Sequence, residues 1–535
     1  MLIPEACDDD AEPTQRNTMG RTGSLFLRGK PGGSSLTGGE PVNATEPPHT
    51  DTVRRIAQLS VLFFTWFLVA KTIAIEPFGV PTGSMAPSFY GNHRRLDCLR
   101  CGFPVVVGEP SADARPVEFE RSSCPNCNQT SDLSQARIIP GDRLLVDKSV
   151  YSARSPRRWE VSVFRCPSDD DKPYVKRVVG LPGETIRIAG GDVYANGELL
   201  RKSLAQFHEV RIPVFDLNFA PPQGWGSRWL VEPLAGSPKL PKTPRGLPTA
   251  ADDTILHDGG LHLDALAKPD GLGLTYRHLN LDEDREESID DRLGYNGRPP
   301  DRKLFAKPPG GPTGDPVHDF AVSFDLEVLA GVGTFAVRLT DGAESFKVDL
   351  PLAGNAEFAG ATLTPEGGRP PAAAAGSFLE VGKIVRVEVA IIDRTVFLIL
   401  DGKAVVAPIE LPADAPEAIR KRQTSRPVQF GARSASVVVR NLCIDRDIHY
   451  LNASRNSAGW SLSPDEYFLL GDNTAGSHDS RLWTIDDRPA PGIPERLFLG
   501  KPFLIHQPMK PTTWTINGRS GVIQSPDWNR LRWMR

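Results

Sequence analysis

An excess of charge of one sign is missing from this chain. Its 66 acidic and 62 basic residues leave a net charge of −4 over 535 residues, which excludes the basic surplus of a protein bound to nucleic acid along its whole length. Cysteine is scarce, and seven are too few for a disulfide-dense scaffold. Gly and Pro, at 49 each, stay below the level of a collagenous or wholly disordered chain, yet they provide for many turns and favour short strands over long helices. At roughly 100–200 residues per domain the length implies about three to five domains. Residues 1–52 lack any sustained apolar period, cannot offset the entropy of ordering, and are expected to form a disordered tail.

One apolar run stands out. From Ile56 to Ile75 the only charge is Lys71, near its end. About 20 residues at a 1.5 Å rise cross a bilayer core, and Lys71 can snorkel to an interface, so residues 53–75 are expected to form a transmembrane helix. The plainer alternative is a buried core helix. A cleaved signal peptide fits less well, because its charged region would be far too long. Arg54 and Arg55 abut the amino end, which puts the tail in the cytoplasm and the rest outside the inner membrane.

Beyond the run the pattern is strands and turns. Arg143–Val146, Val161–Phe164 and Tyr174–Val179 are β-rich, with Gly-Asp and Asn-Gly turns at 191–192 and 196–197. A second β-rich stretch reaches to Tyr450. Its clearest signal is Val385–Ile392, then Thr395–Leu400, a turn at Asp401-Gly402, and Lys403–Val406. Tyr467–Leu470 and Leu497–Leu499 return to the earlier style. The fold is therefore expected to be mainly β, an antiparallel domain split by an inserted β-sandwich.

Three short segments carry chemistry. Ser84, in Pro81-Thr-Gly-Ser-Met-Ala-Pro87, sits where a tight turn would expose a nucleophilic hydroxyl, although a Ser in such a turn is ordinarily a loop residue. Lys176, in Tyr174-Val-Lys-Arg-Val-Val179, lies in an apolar strand where desolvation would lower its pKa toward base chemistry; the ordinary reading is a strand lysine facing solvent. The turn Gly471-Asp-Asn-Thr-Ala-Gly-Ser-His-Asp-Ser-Arg481 concentrates hydroxyls, carboxylates and a guanidinium, suited to orienting a base or simply to capping a loop. A Ser hydroxyl with a neutral Lys beside it needs neither His nor metal.

In this order, behind an amino-terminal apolar segment, these motifs resemble the bacterial type I signal peptidases, the Ser–Lys dyad membrane proteases. The resemblance covers roughly 53–200 and 451–507, including Gly141–Lys148 and Ile493–Lys501. It implies Ser84 as nucleophile and Lys176 as general base, with no catalytic cofactor. It further implies Thr82 as an oxyanion-hole hydroxyl, Ser477 as a hydrogen-bond partner of the lysine, and Asp479 with Arg481 as a brace. The implied substrates are secretory precursors with small residues one and three positions before the scissile bond. The chain departs from the family pattern at Thr82, where Ser is commoner, at Gly476, where Asn is usual, and at Glu184, where Asp is usual.

Two insertions are expected. Cys98-Leu-Arg-Cys101 and Cys124-Pro-Asn-Cys127, within 96–133, have zinc-ribbon spacing; four thiolates would close a structural zinc site, and disulfides are the alternative in an oxidising compartment. Residues 201–450, between catalytic parts at 76–200 and 451–535, look like a concanavalin-A/laminin-G-like jelly roll. It would serve as a spacer or adaptor, or carry a glycan or surface ligand, and its ends are expected to lie close together. Trp225 and Trp229 read as core or rim aromatics, and Asp282–Glu287 as a solvated loop. Two rival readings are a surface-binding protein on a peptidase scaffold and a Ser–Lys protease with a dedicated substrate. The apolar segment argues against a self-cleaving repressor.

Overall fold

The computed structural model describes residues 49–109, 121–169, 172–219, 228–232, 256–280, 285–297, 314–413, 422–452, 458–516 and 519–534. Residues 1–48 of the expected tail, Trp225 and Asp282–Asp284 lie outside them. The chain divides into two units, residues 1–65 and 66–535.

Helix α1, His49–Ile73, begins inside the stretch expected to be tail and runs through the apolar segment. Its described apolar side chains are exposed, Leu59 and Trp66 at 66% each. The expected transmembrane span is corrected in one respect: among the described residues no helix is long and apolar enough to cross a membrane. Arg54, Arg55 and Gln58 lie at its opening, and Ser60 and Thr65 interrupt it, diluting its hydropathy.

Strands β1 (Ile75–Gly79), β2 (Arg143–Asp147), β3 (Val161–Cys166) and β4 (Lys172–Gly180) follow. Helix α2 (Leu204–Val210) starts at a capping box: Ser203 accepts from the Gln206 amide while the Gln206 side chain accepts from the Ser203 amide. Two long strands come next, β5 (Phe320–Thr340) and β6 (Val428–Arg446), then β7 (Glu466–Leu470), β8 (Gly492–Pro494) and β9 (Phe498–Ile505). Seven of these lie in one eight-stranded antiparallel sheet in the order β1-β2-β9-β3-β4-β7-β8, with Arg532–Trp533 pairing beside β9. The order sets β7, from late in the chain, directly beside β4, with Leu470 opposite Arg177.

Across the described residues of the span where a β-sandwich is expected, the strands hydrogen-bond into one fourteen-stranded sheet. The reason is β5, which pairs with β6 along its length. On its other edge it pairs with Ile384–Ile392 through its first half and with Ser345–Pro351 through its second. Register shifts at Ser323/Asp325, Val328/Ala330 and Gly331/Thr334 bend it between those halves, as bulges do, so the sheet curves around a single core. Phe430 is central there, stacked on Trp229 and Phe335 and edge-on to Phe324. Trp229 is thus a core residue. The hairpin turns fall at Asp393-Arg394 and Asp401-Gly402, all four with positive φ, the geometry of two-residue hairpin loops.

The chain enters and leaves this sheet side by side: Ile212 pairs with Arg446, and Tyr450 donates its amide to the Gly191 carbonyl at 3.0 Å. Lys202, 5% exposed, secures the crossing through Asp393 at 2.9 Å and Asp447 at 2.8 Å. Phe430→Ala should remove the hub of the aromatic cluster and lower stability by about 3–5 kcal/mol, measured as a shift in the urea midpoint. An unchanged midpoint would show that the cluster is not a packed core.

Candidate active site

Ser84 lies in the turn that follows β1, where the Ala86 amide bonds to the Gly83 carbonyl at 3.1 Å and the Phe89 amide to the Met85 carbonyl at 2.9 Å. Met85 and Phe89 are buried against Leu144 and Val146 of β2 and Val161 and Val163 of β3, so apolar packing pins the turn to the sheet. Thr82 is exposed in the same turn. Lys176 is in mid-β4, opposite Ser162 of β3. Strand alternation sends successive side chains to opposite faces, so Lys176 and Arg177 serve different partners.

Lys176 Nζ lies 2.5 Å from Ser84 Oγ. The lysine is 3% exposed, and burial is the main reason its pKa falls to about 8, against an opposing pull from Asp479. That pull is blunted because Asp479 is tied to Arg481, whose Nε and Nη2 donate to its two oxygens at 2.8 and 2.7 Å. Arg481 also donates to the Leu451 and Thr474 carbonyls at 2.7 and 2.9 Å, and Asp479 accepts from the Gly471 amide at 3.0 Å. The carboxylate and guanidinium therefore stiffen the 471–481 turn.

Ser477 is brought to the site, but it does not bond Lys176 as expected. Its Oγ is buried without a hydrogen-bond partner, because the amine is turned toward Ser84. The turn approaches so closely that a Cβ at position 471 would lie 2.2 Å from Ser477 Oγ and 2.4 Å from the Ser84 carbonyl oxygen, so only glycine fits.

On the opposite face, reasoning from sequence missed a buried clamp. Arg177 Nε and Nη2 donate to the two oxygens of Asp472 at 2.8 and 2.7 Å, and Ser88 Oγ donates to the same carboxylate at 2.5 Å. Strand β4, the 471–481 turn and the Ser84 turn are thereby joined behind the dyad. The available signal was an Asp inside a segment already singled out, following an Arg adjacent to the chosen Lys. A cleft of about 270 Å³ opens on this side, lined by Ser88, Arg177, Glu209 and Trp533, and contains neither Ser84 nor Lys176.

The four clustered cysteines form two knuckles. The Gly102 amide bonds to the Cys98 carbonyl and the Asn128 amide to the Cys124 carbonyl, each at 2.8 Å, with Gly102 and Asn128 at positive φ. Cys98 and Cys127 sulfurs are 3.6 Å apart, as are those of Cys101 and Cys124, so no disulfide joins them. All four sulfurs lie within 4.8 Å of one another. A tetrahedral zinc with roughly 2.3 Å bonds needs sulfurs about 3.8 Å apart, so the donor set fits. Hydrogen bonds from Cys124 and Cys127 push Cys101 down to about 2, while Cys124 is pushed up.

Residues 126–220 match the family model for signal peptidase, peptidase S26. Over 145 residues the chain is 31% identical to signal peptidase I of Pseudomonas fluorescens, and over 146 residues 32% identical to that of Pseudomonas aeruginosa; each match covers 27% of this chain and 37% of the relative. The chain resembles bacterial type I signal peptidases. It spans little more than a third of the length of these relatives, and the matched S26 range holds Lys176 but not Ser84. Among solved structures, a carbohydrate binding module from Bacillus subtilis aligns over 24% of this chain and 75% of its own, at 12% identity and a TM-score of 0.18, too low to bear on the fold.

Asp472→Ala in this signal-peptidase-like site would remove the carboxylate that accepts two hydrogen bonds from the buried Arg177 guanidinium and leave it only the longer Glu209 ion pair at 3.7 Å, at about 3–5 kcal/mol of stability. Urea unfolding measures it, and a loss below about 1 kcal/mol would mean the pair is solvated.

Proposed function

We propose that the protein is a serine endopeptidase of signal-peptidase type, in which Ser84 attacks the scissile carbonyl and Lys176 is the general base. The observation that carries this reading is the 2.5 Å contact between Lys176 Nζ and Ser84 Oγ around a buried, pKa-lowered amine. Neutral Lys176 takes the hydroxyl proton as the Ser84 oxygen attacks, and then delivers it to the leaving amine. The tetrahedral oxyanion is held by the Ser84 amide and the Thr82 hydroxyl, a donor of this kind being worth about 3 kcal/mol. Asp479 and Arg481 fix the turn that walls in the amine, and Ser477 is part of that wall. The substrates are secretory precursors cut after small residues.

Membrane association belongs to the same proposal. The exposed run in α1 includes Leu62, Phe63, Phe64, Phe67 and Leu68, a surface that lipid would cover. Arg54 and Arg55, at its amino end, would meet anionic headgroups. The four-cysteine cluster is proposed as a structural zinc site, with all four positions filled by thiolates and none open to substrate.

Purified wild-type, Ser84→Ala and Lys176→Arg proteins, given a precursor with a small-x-small site, test the dyad. Both variants should lose activity, since arginine stays charged at every working pH. Full cleavage by the arginine variant would refute the base assignment. Lys176 acts only when neutral, so kcat/KM should climb with pH, about tenfold per unit, to a plateau above the lysine's pKa, which burial lowers to about 8. A profile flat from pH 6 to 9 would contradict the lysine as base.

For the metal, elemental analysis should return about one zinc per chain. A strong chelator should release it and expose four alkylatable thiols. Metal-free protein whose four cysteines resist alkylation until reduced would replace zinc by disulfides.

A further inference from the structure

A short segment of the large sheet's own span, Leu293-Gly-Tyr-Asn-Gly297, lies against the turn that carries Ser84. A Cβ at Gly83 would fall 2.1 Å from the Tyr295 ring, and one at Gly108 would fall 2.2 Å from it, so this ring rests on the backbone of both glycines. Tyr295 also stacks on Tyr90, with centroids 5.4 Å apart, and its hydroxyl accepts from the Gly91 amide at 3.1 Å. Asn296 forms a reciprocal amide pair with Asn473: Asn296 Nδ2 donates to Asn473 Oδ1 at 2.8 Å, and Asn473 Nδ2 donates to Asn296 Oδ1 at 2.6 Å. Asn473 in turn holds the nucleophile turn, its Nδ2 donating to the Gly83 carbonyl at 3.0 Å and its backbone amide to the Ser84 carbonyl at 3.1 Å.

A primary amide offers two donor hydrogens and one acceptor oxygen, and its orientation is fixed by whichever partners fill them. With its oxygen accepting from both Asn296 Nδ2 and the Gly476 amide, the latter at 3.2 Å, and one Nδ2 hydrogen engaged by Asn296, the other hydrogen of Asn473 is directed at Gly83. Position 476 gives independent support. A Cβ there would lie 2.6 Å from Asn473 Nδ2 and 3.1 Å from Asn296 Oδ1, and Gly476 is not among the positive-φ glycines. Space rather than backbone conformation therefore demands glycine. A side chain at 476 and the amide pair compete for one volume, and in this chain the pair occupies it.

We propose that Asn296 and Tyr295 are positioning residues for Ser84: the large-sheet segment completes the wall of the nucleophile turn and fixes the two carbonyls that set the direction of the serine. The proposal rests on the peptidase reading above. On this reading residues 201–450 also contribute to the active site, beyond the spacer, adaptor or ligand-carrying roles expected of them. An error of about 1 Å in an attacking atom can cost on the order of a hundredfold in rate. The effect of loosening the turn falls on the chemical step, because neither residue contacts the lysine that sets the pH profile.

The test uses the full chain in detergent with a small-x-small precursor. Asn296→Ala should lower kcat about tenfold with KM unchanged, the acid limb at the same pH, and faster hydrogen–deuterium exchange across 82–92. An unchanged kcat with unchanged exchange, or a loss confined to KM, would overturn the proposal. Should Asn296→Ala not fold, Tyr295→Phe, which deletes only the hydroxyl at the Gly91 amide, should give a smaller fall in kcat and the same local rise in exchange; wild-type values for both would overturn it. A wild-type chain that does not cleave, or cleaves without Ser84, would overturn the peptidase reading instead, and the exchange at 82–92 would still decide the role of Asn296.

Discussion

The buried ion pair between Arg177 and Asp472 is the constraint on which the site depends. Its two side chains are 2% and 0% exposed, and besides Asp472 the guanidinium has only the longer ion pair to Glu209 at 3.7 Å among the described residues, so breaking the pair is costly. The pair ties β4 to the turn after β7, and through Ser88 to the turn after β1. The turn after β7 lies 295 residues from Arg177 and 384 from Ser88 in sequence, and the sheet order alone brings these segments only roughly together. A guanidinium gripping both oxygens of one carboxylate adds fixed distance and fixed orientation.

With the frame set from behind, the front face can hold an uncomfortable group. An amine loses much of its proton affinity when buried, and a nearby carboxylate would restore it. Asp479 is such a carboxylate, and Arg481 answers it at 2.7 Å. The result is a lysine whose pKa falls to about 8 rather than one locked in an ion pair. The contrast with Lys202 is instructive, because that lysine is buried beside Asp393 and Asp447 and its pKa is raised well above the ordinary value. Two buried lysines are thus shifted in opposite directions: Lys202 touches two carboxylates, whereas Asp479, the main acid acting on Lys176, is gripped by Arg481.

Much of the strand content was legible locally. Arg143–Val146, Val161–Phe164, Tyr174–Val179 and Tyr467–Leu470 all fall within observed strands, because β-branched and aromatic runs bounded by turns leave the backbone few alternatives. Ser84 and Lys176 were singled out from motif order, and the structure sets Lys176 Nζ 2.5 Å from Ser84 Oγ. Other features depend on packing that no local window contains. The bends of β5 join what periodicity reads as two sheets, since alternation says nothing about where a strand crosses from one side of a core to the other. Ser477 was expected on the amine, whose Nζ goes to Ser84 instead. Tyr295 and Asn296 read as an ordinary Gly-flanked turn, and only the folded chain sets them beside Gly83 and Asn473.

The amide pair between Asn296 and Asn473 also constrains how the chain can vary by descent. Gly476 and Asn296 lie in different parts of the sequence yet share one small volume, so a change at either is felt at the other. A recombinant that took its carboxy-terminal part from a relative with a larger residue at 476, while keeping this large sheet, would place two side chains where only one fits. The two parts are therefore heritable as a matched set, and the large sheet is unlike a module that could be shuffled freely among chains that carry this turn.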